Sequence, residues 1–228
     1  MSLKIEGILL DIDNTLYPYR DVNQHAINEV YNYLQTGFGF DRYILEVEFQ
    51  KARNQIHVTL CNTGSSHNRL LYFQLLCERL EIDVVEYSLK LYEIYWDSYL
   101  QKMELYDGAS EFIREFATRI CFVTDLTAHI QHRKLRKLGL SNLGCSLVTS
   151  EEAGVEKPHP YIFKVALDKL KVDPSKACMI GDSFKKDIEG AILSGILPIL
   201  KLNELKSESS VLTFNTFKEL REIVWKNS

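Results

Sequence analysis

The stretch Ile5-Glu6-Gly7-Ile8-Leu9-Leu10-Asp11-Ile12-Asp13-Asn14-Thr15-Leu16 decides how this chain is read, because a short apolar run closes there on acids. Apolar residues at consecutive positions, rather than alternate ones, suit a strand buried on both faces of a parallel sheet. Similar runs recur at Ile120-Cys121-Phe122-Val123, Ser146-Leu147-Val148, Ala177-Cys178-Met179-Ile180 and Ile196-Leu197-Pro198-Ile199-Leu200. Helical patterns lie between and after them: Ala109 to Ala117, His129 to Leu138 before Gly139, Tyr161 to Leu170, and Ile188 to Ser194 before Gly195. Strand followed by helix, repeated, predicts an α/β fold with a doubly wound, Rossmann-like parallel sheet.

From about Tyr17 to Leu105 the rhythm changes to long helical periodicities at Val22–Leu34, Arg42–Leu60, Asn68–Leu80 and Val84–Leu100, separated by turn-rich phrases. The expected organisation is an α/β core from residues 1–16 plus 106–228, with residues 17–105 forming an inserted helical cap domain. Of the 12 tyrosines in the chain, all but Tyr106 and Tyr161 fall in the insert. Most are expected to fill the core and rim of a helical bundle. Tyr17 and Tyr19 are the exceptions, placed where the chain leaves the core, and at least one of them is expected to line the cavity. Arg69 could recognise a carboxylate or second phosphate bidentately.

The 228 residues are 46% hydrophobic and 25% charged, which excludes a disordered or collagen-like chain. A formal net charge of −4 gives no global attraction to nucleic acid or anionic membrane, so neither is an expected partner. Five cysteines, an odd number without C-x-x-C spacing, point to reduced, packed thiols. No signal-peptide pattern or membrane-length apolar run is present, so a cytoplasmic location is expected.

Polar residues just beyond apolar runs are where an open α/β sheet carries its chemistry. Four such places stand out: Asp11-Ile12-Asp13-Asn14-Thr15, Thr124-Asp125, Lys157-Pro158, and Gly181-Asp182 through Asp187. A spacing of two puts Asp11 and Asp13 on one side of extended chain. With Asp182 and Asp187 they form an all-oxygen set that suits Mg²⁺ better than zinc. Ionised Asp11 and Asp182 facing a phosphate dianion sum to about −4, whereas Mg²⁺ and Lys157 supply about +3, so both cations are needed to bind a phosphoryl group. Asp13, if protonated at the start, can serve as an acid. His129 and His132, three apart, are expected to be surface residues rather than ligands.

The D-x-D-x-T, Thr124, Lys157-Pro158 and G-D-x-x-x-x-D signatures, in this order, resemble the haloacid dehalogenase-like hydrolase superfamily, and the helical insert is similar to its C1-capped members. The resemblance implies a Mg²⁺-dependent phosphatase that hydrolyses a small phosphate monoester, of the sugar phosphate or nucleotide class, through an aspartyl-phosphate. It implies that Asp11 is the nucleophile and Asp13 the acid and base. Asp11, the Asp13 carbonyl and Asp182 would hold Mg²⁺, with Asp187 steadying the loop or binding an outer water. Thr124 would bond a phosphoryl oxygen, Lys157 would neutralise nucleophile and phosphate, and backbone N–H groups around Ile12 and Asp125 would contact the same oxygens. Asp125 stands where many members have Asn, which puts that last contact in question. A phosphomutase of the same superfamily, or a non-catalytic phosphoryl-accepting or binding protein, are the alternatives.

Overall fold

The computed structural model describes residues 4–202 and 211–227. The chain folds as two compact units, Met1–Pro18 with Glu104–Ser228, and Tyr19–Met103.

The first unit is built on six strands: β1 (Gly7–Leu10), β2 (Ile120–Thr124), β3 (Ser146–Thr149), β4 (Ala177–Gly181), β5 (Leu197–Lys201) and β6 (Leu212–Phe214). Their order across the sheet is β3-β2-β1-β4-β5-β6, and every neighbouring pair is parallel. Leu9 lies opposite Cys121 on one side and Met179 on the other, and all three are fully buried, as the consecutive apolar run demands. The chain runs outward from β1 through β2 to β3, then returns to β4 on the other side of β1. That reversal creates a crevice beyond the carboxyl ends of β1 and β4. Asp11 and Asp182 follow those two ends directly, and the Asp11 N–H donates to the Ile180 carbonyl at 2.9 Å.

The helices are numbered through the chain. The second unit is all helical: α1 (Tyr19–Phe38), α2 (Arg42–Thr59), α3 (Arg69–Arg79) and α4 (Val84–Lys102). Asp41, Asn68 and Asp83 cap the starts of α2, α3 and α4 through their side-chain oxygens, which accept N–H groups that the first turn leaves without partners. The interior is aromatic. Tyr72, Phe73, Tyr95 and Tyr99 are fully buried, and the Trp96 ring lies 5.0 Å from both Tyr95 and Tyr99.

The first unit adds α5 (Ala109–Phe116), α6 (Ala128–Lys137), α7 (Ser150–Ala153), α8 (Pro160–Leu170), α9 (Glu189–Leu193) and α10 (Phe217–Lys226). Ile162, Phe163 and Ala166 of α8 join Leu9, Val123, Val148 and Met179 in one cluster under the sheet. A capping box of Thr216 and Glu219 starts α10, which packs on α5 through Phe217 and Phe112, with ring centroids 5.8 Å apart. Strand β6 and helix α10 are two elements that the apolar runs did not announce. The cysteines are free thiols, with Cys77, Cys121 and Cys178 buried. Among the described residues no helix is long and apolar enough to cross a membrane.

Candidate active site

The Lys157 ammonium is the hub of the crevice. Fully enclosed, it donates to Asp11 Oδ1 at 2.6 Å, to Asp187 Oδ1 at 2.6 Å and to the Val123 carbonyl at 3.0 Å, so its three protons are all used. Thr15 donates to the other Asp11 oxygen at 2.7 Å, which fixes the carboxylate's plane. Asp187 reaches Lys157 because the chain after β4 makes a π-turn over Phe184–Ile188, with the Ile188 N–H bonded to the Ser183 carbonyl. Asp187 Oδ2 also accepts the Ser183 N–H at 3.0 Å. Gly181 is required for the same reason. A methyl group on it would overlap the Asp187 carboxylate.

Asp182 accepts the Asn14 amide at 2.5 Å. Asn14 holds a positive φ of 66°, a left-handed conformation that asparagine adopts more readily than most side chains. Carboxylate oxygens of Asp11, Asp182 and Asp187 come within 4.8 Å of one another. Burial pushes the Asp11 carboxyl up to about 7 against the pull of Lys157, and burial also raises Asp182 and Asp187. Three acids crowded around one point in a low-dielectric crevice favour a bound cation, and their all-oxygen chemistry fits a hard divalent ion.

Asp13 has a different environment. Despite burial, the Lys134 ammonium, at 2.6 and 2.8 Å from its two oxygens, holds its carboxyl below the usual range, helped by the Tyr17 hydroxyl and the Gln131 amide. In this structure the ion pair favours the charged form of Asp13. The Gln131 amide also donates to Thr124 Oγ1 at 2.7 Å, linking Thr124 to Asp13 through one side chain.

This geometry can be set beside known proteins. A family model described as haloacid dehalogenase-like hydrolase matches residues 5–195. The chain belongs to the haloacid dehalogenase-like hydrolase family. It is 35% identical over 202 residues to a ribulose-1,5-bisphosphate 5-phosphatase of Halopiger xanaduensis, covering 85% of this chain and 83% of the relative. It is 31% identical to a glyceraldehyde 3-phosphate phosphatase of Methanopyrus kandleri, covering 86% and 83%. A crystal structure of a HAD phosphatase from Thermococcus onnurineus shares the fold, with a TM-score of 0.75, 23% identity, and 96% and 98% of the two chains covered. The chain is thus an enzyme of the hydrolase type, and its curated relatives are named as phosphatases.

In this haloacid dehalogenase-like hydrolase the unusual Asp125 has a structural occupation. Its Oδ1 accepts the Lys157 N–H at 2.9 Å and its Oδ2 pairs with Lys186 at 2.8 Å, so the carboxylate is turned onto the Lys157 loop. Ile12, next to Asp11 in the chain, is fully buried. Tyr17 is fully buried with its hydroxyl on Asp13, whereas Tyr19 belongs to the helical unit, where it accepts from Arg69 at 2.7 Å. His129 and His132 are exposed.

Sequence reasoning passed over Asn14, Gln131, Lys134 and Lys186 as site residues. The available signal was a polar pair, Gln131 and Lys134, on the face of α6 that also carries apolar Ile130.

Two predictions follow from the charges. The metal-free hydrolase holds Asp11 at about 7 against 3.8 for the free side chain, so its native state binds more protons than the unfolded chain between those values. The associated stability is complete below about pH 4 and is lost as pH rises through about 7. In chelator, the Tm of Asp11→Asn relative to wild type rises from pH 5 to pH 8, by an amount equivalent to roughly 2–4 kcal/mol. A flat difference contradicts this arrangement. Replacing Lys134 by Met is expected to raise the pH at which the Asp13 carboxyl titrates, which side-chain carboxyl NMR across a pH series reads directly; an unchanged titration contradicts the ion pair.

Proposed function

We propose that this hydrolase is a Mg²⁺-dependent phosphatase that cleaves a small sugar phosphate monoester through a phosphoryl group carried on Asp11. The observation that carries the reading is the Asp11 carboxylate at the mouth of the β1–β4 reversal, held by Lys157 and Thr15 and bordered by Asp182 and Asp187. A carboxylate so oriented is a nucleophile with no further freedom to lose before attack.

In the first displacement an Asp11 oxygen forms a bond to phosphorus as the ester oxygen leaves with its bonding pair and takes a proton from Asp13. In the second, Asp13 removes a proton from water, whose oxygen bonds to phosphorus while the Asp11–phosphorus bond breaks. Inorganic phosphate is released and both side chains are restored. The resting Asp13 is ionised beside Lys134. A phosphate dianion arriving next to it adds like charge and raises its pKa, so proton uptake accompanies substrate binding.

Thr124, its oxygen already bonded by Gln131, has its own hydroxyl proton to donate toward a phosphoryl oxygen. Backbone N–H groups at Ile12 and Asp125 are further donors for those oxygens. Lys157 offsets the charge of nucleophile and phosphate, and Asp187 and Asp125 keep it in place. Asp11, Asp182 and the Asp13 carbonyl would hold Mg²⁺, with Asp187 steadying the loop beside it. When bound, the ion offsets the acids' charge and supplies Lewis acidity toward the phosphoryl oxygens. The sugar phosphate class is supported by two relatives, one named for ribulose 1,5-bisphosphate and one for glyceraldehyde 3-phosphate.

Asp11→Asn is expected to lower turnover of 4-nitrophenyl phosphate and of ribose 5-phosphate by at least about 1000-fold with an unchanged circular dichroism spectrum. Chelator is expected to remove wild-type activity and Mg²⁺ to restore it. Undiminished turnover in the variant refutes the nucleophile; full turnover in chelator refutes the metal.

A further inference from the structure

Within the helical unit lies a cavity of about 420 Å³ between α1, α2 and α3, bordered by Tyr19, Asn23, Glu46, Arg53, Arg69 and Tyr72 among others. That volume is in the range of small-molecule sites. Arg69, 8% exposed, is on its wall. Its Nε donates to the Tyr95 hydroxyl at 3.2 Å, Nη1 to the His67 carbonyl at 2.8 Å and Nη2 to the Tyr19 hydroxyl at 2.7 Å. These partners are all neutral. Among the described residues no carboxylate pairs with the Arg69 guanidinium, which remains charged at any working pH. Enclosing a cation with neutral partners alone is costly, and an anion relieves it.

Asn23 shows what the neighbouring groups are set to do. Its Oδ1 accepts the Tyr95 hydroxyl at 2.7 Å and the Tyr19 hydroxyl at 3.4 Å. Both tyrosine protons are thereby turned toward Asn23, leaving their oxygens to accept from Arg69. The Asn23 amide protons have no partner among the described residues, and one N–H on each of Arg69 Nη1 and Nη2 is likewise uncommitted. Arg53, an exposed second guanidinium, borders the same space, while Glu46 is engaged by Arg42 at 2.7 Å. The wall therefore offers donors and positive charge, with its carboxylate neutralised.

We propose that this cavity is an oxyanion site in which Arg69 and Asn23 hold a carboxylate or phosphate group of a small polar ligand. The fork of Arg69 matches either group's paired oxygens. The oxyanion belongs to a small anionic ligand taken up by the helical unit, and the proposal does not depend on the phosphatase reading.

Asn23→Asp tests the site without removing its scaffold, because it keeps the oxygen that accepts both tyrosine hydroxyls and places a carboxylate where the oxyanion would sit. The variant is expected to melt at or above the parent temperature. Calorimetric titration of the full chain compares malonate with glycerol, a neutral control. Asn23→Asp, and Arg69→Met where it folds, are expected to weaken malonate binding by about 10- to 100-fold.

Malonate binding that is weakened in the variants, with no binding of glycerol, supports the site. Malonate affinity unchanged by Asn23→Asp, or no malonate binding by the parent, overturns it. Absence of turnover on every phosphate ester counts against the phosphatase reading alone and leaves the calorimetric result standing.

Discussion

Three carboxylates and the Lys157 ammonium meet at the point where the sheet reverses direction, and much of the local structure follows from keeping them there. Like charges in a low-dielectric crevice repel strongly, so each carboxylate must be held by the chain. Asp11 is held by Thr15 and Lys157, Asp182 by Asn14, and Asp187 by Lys157 and the Ser183 N–H. Gly181 leaves the room that the Asp187 carboxylate occupies. Asp125 ties down the Lys157 backbone, so even the residue that departs from the common family pattern serves the same cluster. A buried lysine paired with acids is weak evidence of stabilisation. Its value here lies in position, because one ammonium fixes two carboxylates contributed by elements far apart in sequence.

Asp11 and Asp13 are two residues apart yet titrate in opposite directions. Burial raises Asp11, whereas Lys134 overrides burial at Asp13 and lowers it. The distinction comes from which neighbour each side chain meets. Asp11 shares Lys157 with another acid, while Asp13 has Lys134 bonded to both of its oxygens. Pairs of carboxylates whose environments separate their protonation are how one site can supply a nucleophile and a proton-transfer group together. Gln131 also links Asp13 to Thr124 through one side-chain amide, so the two residues are held in fixed relation.

The sheet was legible because burial on both faces leaves a continuous apolar signature, and the five apolar runs correspond to β1 through β5. Strand β6 has three residues, Leu212-Thr213-Phe214, with only Phe214 buried, and so short a half-exposed strand leaves no comparable trace. Asp11, Asp182 and Thr124 were legible because they stand at or just beyond strand ends, and Lys157 because it precedes a proline in the segment after β3 and α7. Lys134 was not. It is 121 positions from Asp13 and occurs in a helix rich in basic residues, where a lysine reads as solvated until the tertiary fold places it against a carboxylate. The adjacent histidines drew attention for their metal-ligand chemistry, but helical rotation turns His129 and His132 outward while it buries Gln131 and Lys134.

The tyrosines of the helical unit show why composition alone could not separate packing from recognition. Tyr72, Tyr95 and Tyr99 are buried as the bundle's core requires, yet the Tyr72 and Tyr95 rings also lie 5.2 and 5.6 Å from the Arg69 guanidinium. An aromatic face solvates a planar cation without quenching its charge, which a carboxylate would do. The same rings therefore fill space and keep a guanidinium available. A lysine at this position would retain charge but lose the planar fork and the stacking surface. Packing and polarity are not competing explanations here: the aromatic core is what allows a cation to remain enclosed without an acid from the bundle.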